Sequence, residues 1–215
     1  MSFEEHDVKI PLKNIVLNGI LHIPKNASGI VLFVHGSGSS RLSKRNQHVA
    51  QILYQGNIAT LLFDLLTEDE EIVDEVTREH RFNIGLLCDR LIQVTRWIIK
   101  NPSTKHLSIG YFGASTGGGA ALCAASKCQD LVKAVVSRGG RPDLAGESLL
   151  HVEAPTLLIV GGDDIPVIQM NQDAMSMMHC VKELVIVPHA THLFEEEGKL
   201  DEVARLAQAW FAQYL

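Results

Sequence analysis

Ser115 lies between two glycines in the segment GASTG, residues 113–117, where an apolar stretch runs into an alanine-rich one. A serine at such a corner can cap the helix that follows, or it can act as a nucleophile. A nucleophilic serine must project from a sharp turn between strand and helix. The chain on both sides then passes so closely that side chains at Gly113 and Gly117 would collide. The G-x-S-x-G spacing is typical of a nucleophile, but it also fits a capping serine.

A neutral serine needs a general base, and the base needs an acid that orients it. Candidates follow Ser115 in the order serine, acid, histidine: Asp163 and Asp164 come after the apolar run PTLLIV, and His189 and His192 come after ELVIVP. These aspartates and histidines could instead bind a metal, but only loop spacing supports that alternative, and we expect no metal. The residues predict a Ser-Asp-His site at the carboxyl edge of a sheet.

Two glycine-rich stretches are similar to phosphate-binding loops, and each departs from the pattern at an essential position. Counted as a P-loop from Gly113, the lysine position holds Gly119 and the Ser/Thr position holds Ala120. HGSGSSR, with Asp64 after the next apolar run, is closer to a dinucleotide fingerprint. Its third glycine position holds Arg41, which is too bulky for close packing of helix on strand. Nucleotide binding by these loops is not expected.

Apolar stretches of strand length alternate with longer segments of helical period, which predicts an α/β fold with a mostly parallel sheet and helices on both faces. An opening antiparallel pair, VKIPLKNIVL and GILHIP, is expected to turn at Asn18-Gly19. Six further strands are predicted at 29–34, 58–63, 106–112, 131–137, 155–160 and 183–188. Helices are predicted at about 42–56, 82–100, 116–127, 166–179 and 198–213. The expected fold is one doubly wound, eight-stranded sheet in a single domain, residues 1–215.

Two connections bear on how open the site is. Only about 17 residues separate the strand ending near Ser137 from the strand beginning at Pro155, so a lid domain does not fit there. The acidic segment TEDEEIVDEV, which begins at Thr67, is expected to be a solvated loop or a short helix. Whether residues 67–79 form a flap over the site is left open.

Composition narrows the class of protein. The chain has 215 residues, 46% of them hydrophobic and 20% charged, as in ordinary globular proteins, and its net charge of -6 disfavours nucleic acid as a partner. Apolar runs are shorter than the ~18 residues that span a bilayer, and MSFEEHDVKIP lacks the features of a secretory signal. We therefore expect a cytoplasmic protein without a membrane partner, either a monomer or a homodimer, in which Cys88, Cys123, Cys128 and Cys180 are buried or half-buried free thiols.

The motifs together resemble the α/β-hydrolase superfamily, and within it the lid-less, dienelactone-hydrolase-like group. The resemblance covers almost the whole chain and combines HG before a glycine-rich loop, GxSxGG, GxxDxxV, and a histidine before the last helix. It implies a triad of Ser115, Asp164 and His192. Asp163 would then be a neighbour that caps the following helix, although the two aspartates could exchange roles, and His189 would be exposed or would border the pocket.

An oxyanion hole is expected beside the serine. The backbone N–H of Thr116 begins a helix and has no partner in a preceding turn, so it can bind developing negative charge. By resemblance, the N–H of Ser37 supplies the second donor, and His35 has a structural role. Dienelactone hydrolase proper uses a cysteine nucleophile, whereas this chain carries serine, which suits a general carboxylesterase better.

Basic residues follow several strands at the same predicted edge of the sheet. Arg41, Arg138 and Arg141 could bind a carboxylate or phosphate of the substrate. They could instead pair with acidic side chains of residues 68–71 or with Asp143.

The predicted function is cleavage of an ester, lactone or thioester through an acyl-enzyme, without a cofactor. The substrate is expected to be small, and an anionic substrate is one alternative. Two alternatives stay open. One is a binding or regulatory module that keeps the fold without turnover. The other is a peptidase or C–C bond hydrolase that uses the same triad.

Overall fold

The computed structural model describes residues 6–215. Their eight strands are β1 (His6–Pro11), β2 (Val16–His22), β3 (Gly29–Val34), β4 (Ala59–Phe63), β5 (Ser108–Ala114), β6 (Val132–Arg138), β7 (Thr156–Gly161) and β8 (Lys182–Val187). Their helices are α1 (Lys44–Gln55), α2 (Glu68–Thr77), α3 (Ile84–Ile98), α4 (Thr116–Lys127), α5 (Ile165–Met177) and α6 (Lys199–Tyr214), with a 3₁₀ segment at Pro142–His151. In the described residues, each predicted strand after the opening pair is found within two residues of its predicted bounds.

One sheet contains all eight of these strands, in the order β1-β2-β4-β3-β5-β6-β7-β8. β1 pairs with β2 and β2 pairs with β4 in antiparallel fashion, and the other pairs are parallel. The predicted α/β-hydrolase fold with a mostly parallel sheet is therefore confirmed. Its parallel strands end at one edge, where the predicted site residues follow them.

Helices cover both faces of the sheet, which is why the central strands are apolar throughout. β3 and β4 are buried along their whole length. On one face α1 and α6 form a core with the sheet, and on the other face α3, α4 and α5 form a second core. A strand buried on both sides needs apolar residues at every position, and this explains the continuous apolar runs of the sequence.

The predicted turn at Asn18-Gly19 is wrong. Both residues lie inside β2, and the chain turns earlier, where the Leu12 N–H donates to the Ile15 carbonyl at 2.8 Å. A Cβ at Gly19 would lie 3.1–3.2 Å from side-chain atoms of Val8, Ile10 and Leu61. This glycine therefore provides room for close packing within the sheet, a role that its sequence neighbours do not reveal.

The acidic segment forms helix α2, the short-helix alternative of the prediction. Thr67 and Glu70 form a capping box at its start. The Glu70 carboxylate also accepts two hydrogen bonds from the Arg90 guanidinium on α3, at 2.6 and 3.1 Å. Burial alone would raise the pKa of Glu70, but the hydrogen bonds from Arg90 and from the Thr67 backbone lower it below the ordinary 4.5. This ion pair fixes α2 on α3.

The 3₁₀ segment at Pro142–His151 was not predicted. It is interrupted at Gly146, whose φ of 52° is in the left-handed region. Cys88, Cys123 and Cys128 are buried and Cys180 is half-buried, all as free thiols, as expected. Among the described residues, none of the helices has the length and apolar character that a membrane span requires.

Glu70→Gln is expected to lower the free energy of unfolding by about 1–2 kcal/mol at pH 7, because glutamine keeps the capping geometry but loses the charged partner of Arg90. A carboxyl group whose pKa is lower in the folded protein than in the unfolded chain stabilises the fold fully at pH values above the pKa of the unfolded chain. This stabilisation is lost as the pH falls through the pKa of the folded protein. The difference between the variant and the parent protein should therefore shrink in acid. Urea unfolding at pH 7 and pH 4 measures it. Asp69→Asn, an exposed charge in the same helical turn, is the matched control, and equal losses for both variants would contradict the role of the ion pair.

Candidate active site

Ser115 occupies a strained corner between β5 and α4. Its φ of 51° is in the left-handed region, which is uncommon for a residue other than glycine. A Cβ at Gly117 would lie 2.1 Å from the Val34 carbonyl oxygen, and one at Gly113 would lie 2.6 Å from the Gly117 carbonyl oxygen. The glycines are sterically required, as the sequence predicted. In the described structure the Ser115 hydroxyl forms no capping hydrogen bond with α4, so the capping alternative is wrong.

The serine hydroxyl is linked to a histidine and then to a carboxylate. The Ser115 Oγ lies 3.3 Å from Nε2 of His192, and Nδ1 of His192 lies 2.6 Å from Oδ2 of Asp164. With the proton on Nδ1, the ring donates to Asp164 and leaves Nε2 to accept from the serine. The His192 side chain is 38% exposed and that of Asp164 is 14% exposed, so the carboxylate is the more shielded member.

The structure places the alternative acid and base elsewhere. Asp163 is exposed, and its N–H donates to the Ala190 carbonyl at 3.0 Å. The expectation that Asp163 caps α5 is wrong, because Asp164 occupies the cap position and turns its carboxylate to His192. His189 is exposed.

The loops that carry the acid and the base contact each other. The Gly162 N–H donates to the Val187 carbonyl at 2.8 Å, which joins the ends of β7 and β8. A Cβ at Gly161 would lie 2.3 Å from the Ala190 carbonyl oxygen, so the two loops touch through their backbones. On the other side, Gly139 after β6 has a φ of 51° and lies under His192, since its Cβ would be 3.0 Å from the His192 carbonyl oxygen. These contacts hold the imidazole over the serine.

The two predicted oxyanion donors are neighbours, with one unexpected contact. The Ser37 N–H donates to the Thr116 hydroxyl at 2.9 Å. A Cβ at Gly36 would lie 3.0 Å from the Ala114 carbonyl oxygen, so the loop after β3 packs directly on the turn that carries the serine. The Thr116 hydroxyl thus binds the Ser37 N–H in the free protein, and an oxyanion would compete for that donor.

His35 ties the same loop to the neighbouring strand. Its Nε2 accepts from the Leu65 N–H at 3.0 Å, and its Nδ1 lies 3.0 Å from the Gly36 carbonyl. Both contacts are satisfied when the proton is on Nδ1. Burial lowers the pKa of His35, which favours this neutral form. The role of His35 is structural, as expected.

Arg41 and Arg141, two of the three basic candidates, form ion pairs within the protein. Arg41 contacts Asp64 through both its backbone N–H and its guanidinium. Arg141 donates two hydrogen bonds to the Asp143 carboxylate, at 2.7 and 2.9 Å. Pairing with Asp143 was the alternative to substrate binding for this residue.

Arg138 is different, because the residue is only 5% exposed and its guanidinium donates to the amide oxygen of Asn46 at 3.2 Å. Burial, with a contribution from the nearby Arg45, lowers the pKa of Arg138 to about 10. Arg138 is the last residue of β6.

A cavity of about 270 Å³ adjoins the oxyanion donors. The loop that follows β3, residues 36–40, and Thr116 form one wall. Glu71 and Asp74 of α2 and Arg81 of the turn after it also line the cavity. The sequence left open whether the acidic segment covers the site, and it did not point to these three residues. Their position beside the cavity depends on tertiary contacts, such as the ion pair between Glu70 and Arg90.

Asp74 and Arg81 hold this part of the cavity lining together. Asp74 is buried and accepts the backbone N–H groups of His80 and Arg81, at 2.7 and 3.0 Å, and the Arg81 Nε at 2.5 Å. Burial would raise the pKa of Asp74, but these hydrogen bonds lower it below the ordinary 3.8. The carboxylate therefore closes the turn after α2 and sets where Arg81 lies.

Comparisons with known proteins agree with this fold. Residues 17–214 match the sequence profile of the dienelactone hydrolase family. A crystal structure of dienelactone hydrolase from Anabaena variabilis is 58% identical, with a TM-score of 0.98 and 99% of each chain covered. Est1E from Butyrivibrio proteoclasticus, at 17% identity and a TM-score of 0.79 over 96% of this chain and 98% of its own, shares the fold.

Two proteins of Mycobacterium tuberculosis strains are 52% identical over 98% of this chain, and they carry the provisional name phosphoribosyl transferase. The match covers 47% of their length, so the chain spans about half of these curated relatives.

Gly117→Ala is expected to destabilise the fold by about 3 kcal/mol or more, or to prevent folding, because the new methyl group would overlap the backbone oxygens of Val34 and His35. Urea unfolding monitored by circular dichroism measures the loss. Gly85→Ala is the matched control, since its Cβ would meet only the Asn83 side chain at an ordinary 3.5 Å. A Gly117→Ala protein as stable as the control would show that the turn at Ser115 has more room than the structure gives it.

Proposed function

The chain belongs to the dienelactone hydrolase family, and on this premise we propose that it is a serine hydrolase that cleaves a carboxylic ester, lactone or thioester through an acyl-enzyme. The observation that carries the proposal is the continuous contact from Ser115 through His192 to Asp164. A capping serine or a binding module has no need for such an arrangement.

In the proposed mechanism, the Ser115 Oγ attacks the carbonyl carbon of the ester while Nε2 of His192 takes the serine proton. Asp164 accepts from Nδ1, which holds the required tautomer and stabilises the imidazolium. The protonated His192 then donates to the leaving oxygen, and the acyl group remains on Ser115. A water molecule, activated by the same imidazole, releases the acid and restores the serine.

The tetrahedral intermediate would place its negative oxygen between the N–H groups of Ser37 and Thr116. Both groups are fixed by the backbone, Thr116 at the positive end of α4 and Ser37 in the loop packed against Ala114. For this oxygen to receive the Ser37 N–H, the Thr116 hydroxyl must give up or share the bond it holds in the free protein.

The charges around the cavity favour a substrate that is neutral in this region, in contrast to the anionic substrate that the sequence allowed. Glu71 is half-buried in the cavity wall, and burial, followed by Asp64 and Glu75, raises its pKa above 4.5. The two guanidinium groups that act on it, Arg41 and Arg81, are already paired with carboxylates. An anionic group entering the cavity would meet Glu71 without a cation that is free to compensate.

Phosphoribosyl transfer, the activity in the name of the M. tuberculosis relatives, is a competing proposal with weaker support. The name applies to proteins about twice as long, and the shared half is the part that matches the dienelactone hydrolase family. An activity that depends on Ser115 supports hydrolysis, and a transferase activity unaffected by loss of this hydroxyl would favour the alternative.

A fluorophosphonate probe is expected to label Ser115, because the probe reacts with a serine whose hydroxyl is activated by a base. Peptide mass spectrometry locates the adduct, and Ser115→Ala removes it. Asp164→Asn should slow labelling and ester hydrolysis by about 10³- to 10⁴-fold, since the asparagine disfavours the tautomer that accepts the serine proton.

Asp163→Asn is the matched control for Asp164→Asn, because it changes the adjacent carboxylate without touching His192. It should retain activity within a few-fold. A folded parent protein that is not labelled would contradict the hydrolase and bring the binding-module alternative forward. Equal losses in the two aspartate variants would contradict the assignment of Asp164.

Glu71→Gln is expected to increase kcat/KM for an anionic hemiester relative to a neutral ester of the same acyl length by about 3- to 10-fold, because one unfavourable charge is removed. Steady-state kinetics on the ester pair at pH 8 give this ratio. Asp69→Asn, on the same helix but away from the cavity, should leave the ratio unchanged. An unchanged ratio in Glu71→Gln would show that the carboxylate does not face the substrate, and a lower ratio would contradict the expected repulsion.

A further inference from the structure

Two cysteines that the hydrolase mechanism does not use face each other across the contact of α3 and α4. The Sγ atoms of Cys88 on α3 and Cys123 on α4 lie 2.8 Å apart, although 34 residues separate them in sequence. A disulfide bond is about 2.04 Å long, so the two sulfur atoms are not bonded but need to approach by only roughly 0.8 Å. Their side chains point toward each other from two packed helices.

The surroundings of the pair favour a thiolate at Cys123. Its Sγ shares a hydrogen bond with the Cys88 thiol and is within 3.9 Å of the Ser148 hydroxyl. The contact with Cys88 lowers the pKa of Cys123 despite burial, with smaller contributions from Ser148 and Lys127. The same contact, together with burial, raises the pKa of Cys88. One sulfur is thus poised as the nucleophile and the other retains its proton.

Access to the two sulfur atoms is unequal. Cys88 is fully buried, whereas Cys123 is 7% exposed, and Lys127, one helical turn further along α4, is an exposed cation beside the pair. A small oxidant that reaches the groove between the helices would meet Cys123 first. The remaining two cysteines have other neighbours, Tyr111 for Cys128 and Thr156 for Cys180.

We propose that Cys88 and Cys123 are a redox-active dithiol, which a two-electron oxidant such as a hydroperoxide converts into an intramolecular disulfide between α3 and α4. In the first step the Cys123 thiolate attacks the peroxide and becomes a sulfenic acid, with release of hydroxide. In the second step the Cys88 sulfur attacks that of Cys123, the S–O bond breaks, and the Cys88 proton leaves with the oxygen as water. The two thiols together lose two electrons, and the peroxide gains these two electrons.

The disulfide would join the two sides of the candidate active site. α4 begins immediately after Ser115, and α3 follows the turn that carries Arg81 into the cavity wall. The bond would also close a loop that contains β5. It should therefore restrict the unfolded chain and raise the melting temperature, by about 5 °C or more.

Peptide mapping of the oxidised protein tests the proposal directly. The folded protein is treated with hydrogen peroxide, its remaining thiols are blocked with N-ethylmaleimide, and it is digested with trypsin without reduction. Trypsin cleaves after Arg81, Arg90, Lys105 and Lys127, so the two cysteines fall in separate peptides, 82–90 and 106–127. The expected result is a linked pair of these peptides, two mass units lighter than their sum, which dithiothreitol separates. The melting temperature should rise with the linked fraction.

Cys88→Ser and a double control variant, Cys128→Ser with Cys180→Ser, separate the outcomes. The double variant should still form the linked peptides. Cys88→Ser should not, and its Cys123 should accumulate as a sulfenic acid that dimedone traps. Oxidation of Cys180 in the parent protein without an 88–123 linkage would overturn the proposal, and so would linkage through Cys128 instead. The readout does not involve ester cleavage, so it stands or fails separately from the proposed hydrolase activity.

Discussion

The close approach of backbone segments around Ser115 is the constraint on which the rest of the site depends. The serine is held at a positive φ, a conformation that costs about 1–3 kcal/mol for an ordinary residue. Its N–H donates to the Arg138 carbonyl at 3.2 Å and its carbonyl accepts the Arg141 N–H at 3.0 Å, so the strained turn is fastened to the strand beside it. Gly117, pressed against the Val34 carbonyl, fastens the start of α4 to the strand on the other side. The sheet that supports this turn is itself held between two cores, one on each face.

The same edge of the sheet brings together the other members of the site, although they are far apart in sequence. β5, β7 and β8 are parallel, so the loops after them begin at the same level. The loop after β7 contacts the loop after β8 through Gly161 and Ala190. This contact fixes the position of Asp164 relative to His192. The site is therefore built from backbone contacts between loops, and the side chains follow from them.

The strands could be predicted because burial on both faces requires continuous apolar runs, and these runs are visible without knowledge of their partners. The opening hairpin was placed incorrectly for the opposite reason. Asn18-Gly19 has the local chemistry of a tight turn, but Gly19 is needed inside β2 to make room for side chains of β1 and β4. Similarly, the sequence of the acidic segment after β4 is compatible with a loop and with a helix. The capping box of Thr67 and Glu70 starts a helix there, and the ion pair between Glu70 and Arg90 fixes which side of that helix faces α3.

By itself, the sequence determined the features that depend on near neighbours: the glycines around Ser115, the order of serine, acid and histidine, and the alternation of strands and helices. The tertiary structure decided which side chains meet. It turned Asp164 rather than Asp163 toward His192, and it paired Arg41 with Asp64 across 23 residues. The physical reason is that backbone conformation responds to local sterics, whereas a hydrogen bond or ion pair extends only a few ångströms and exists only where packing brings two distant segments into contact.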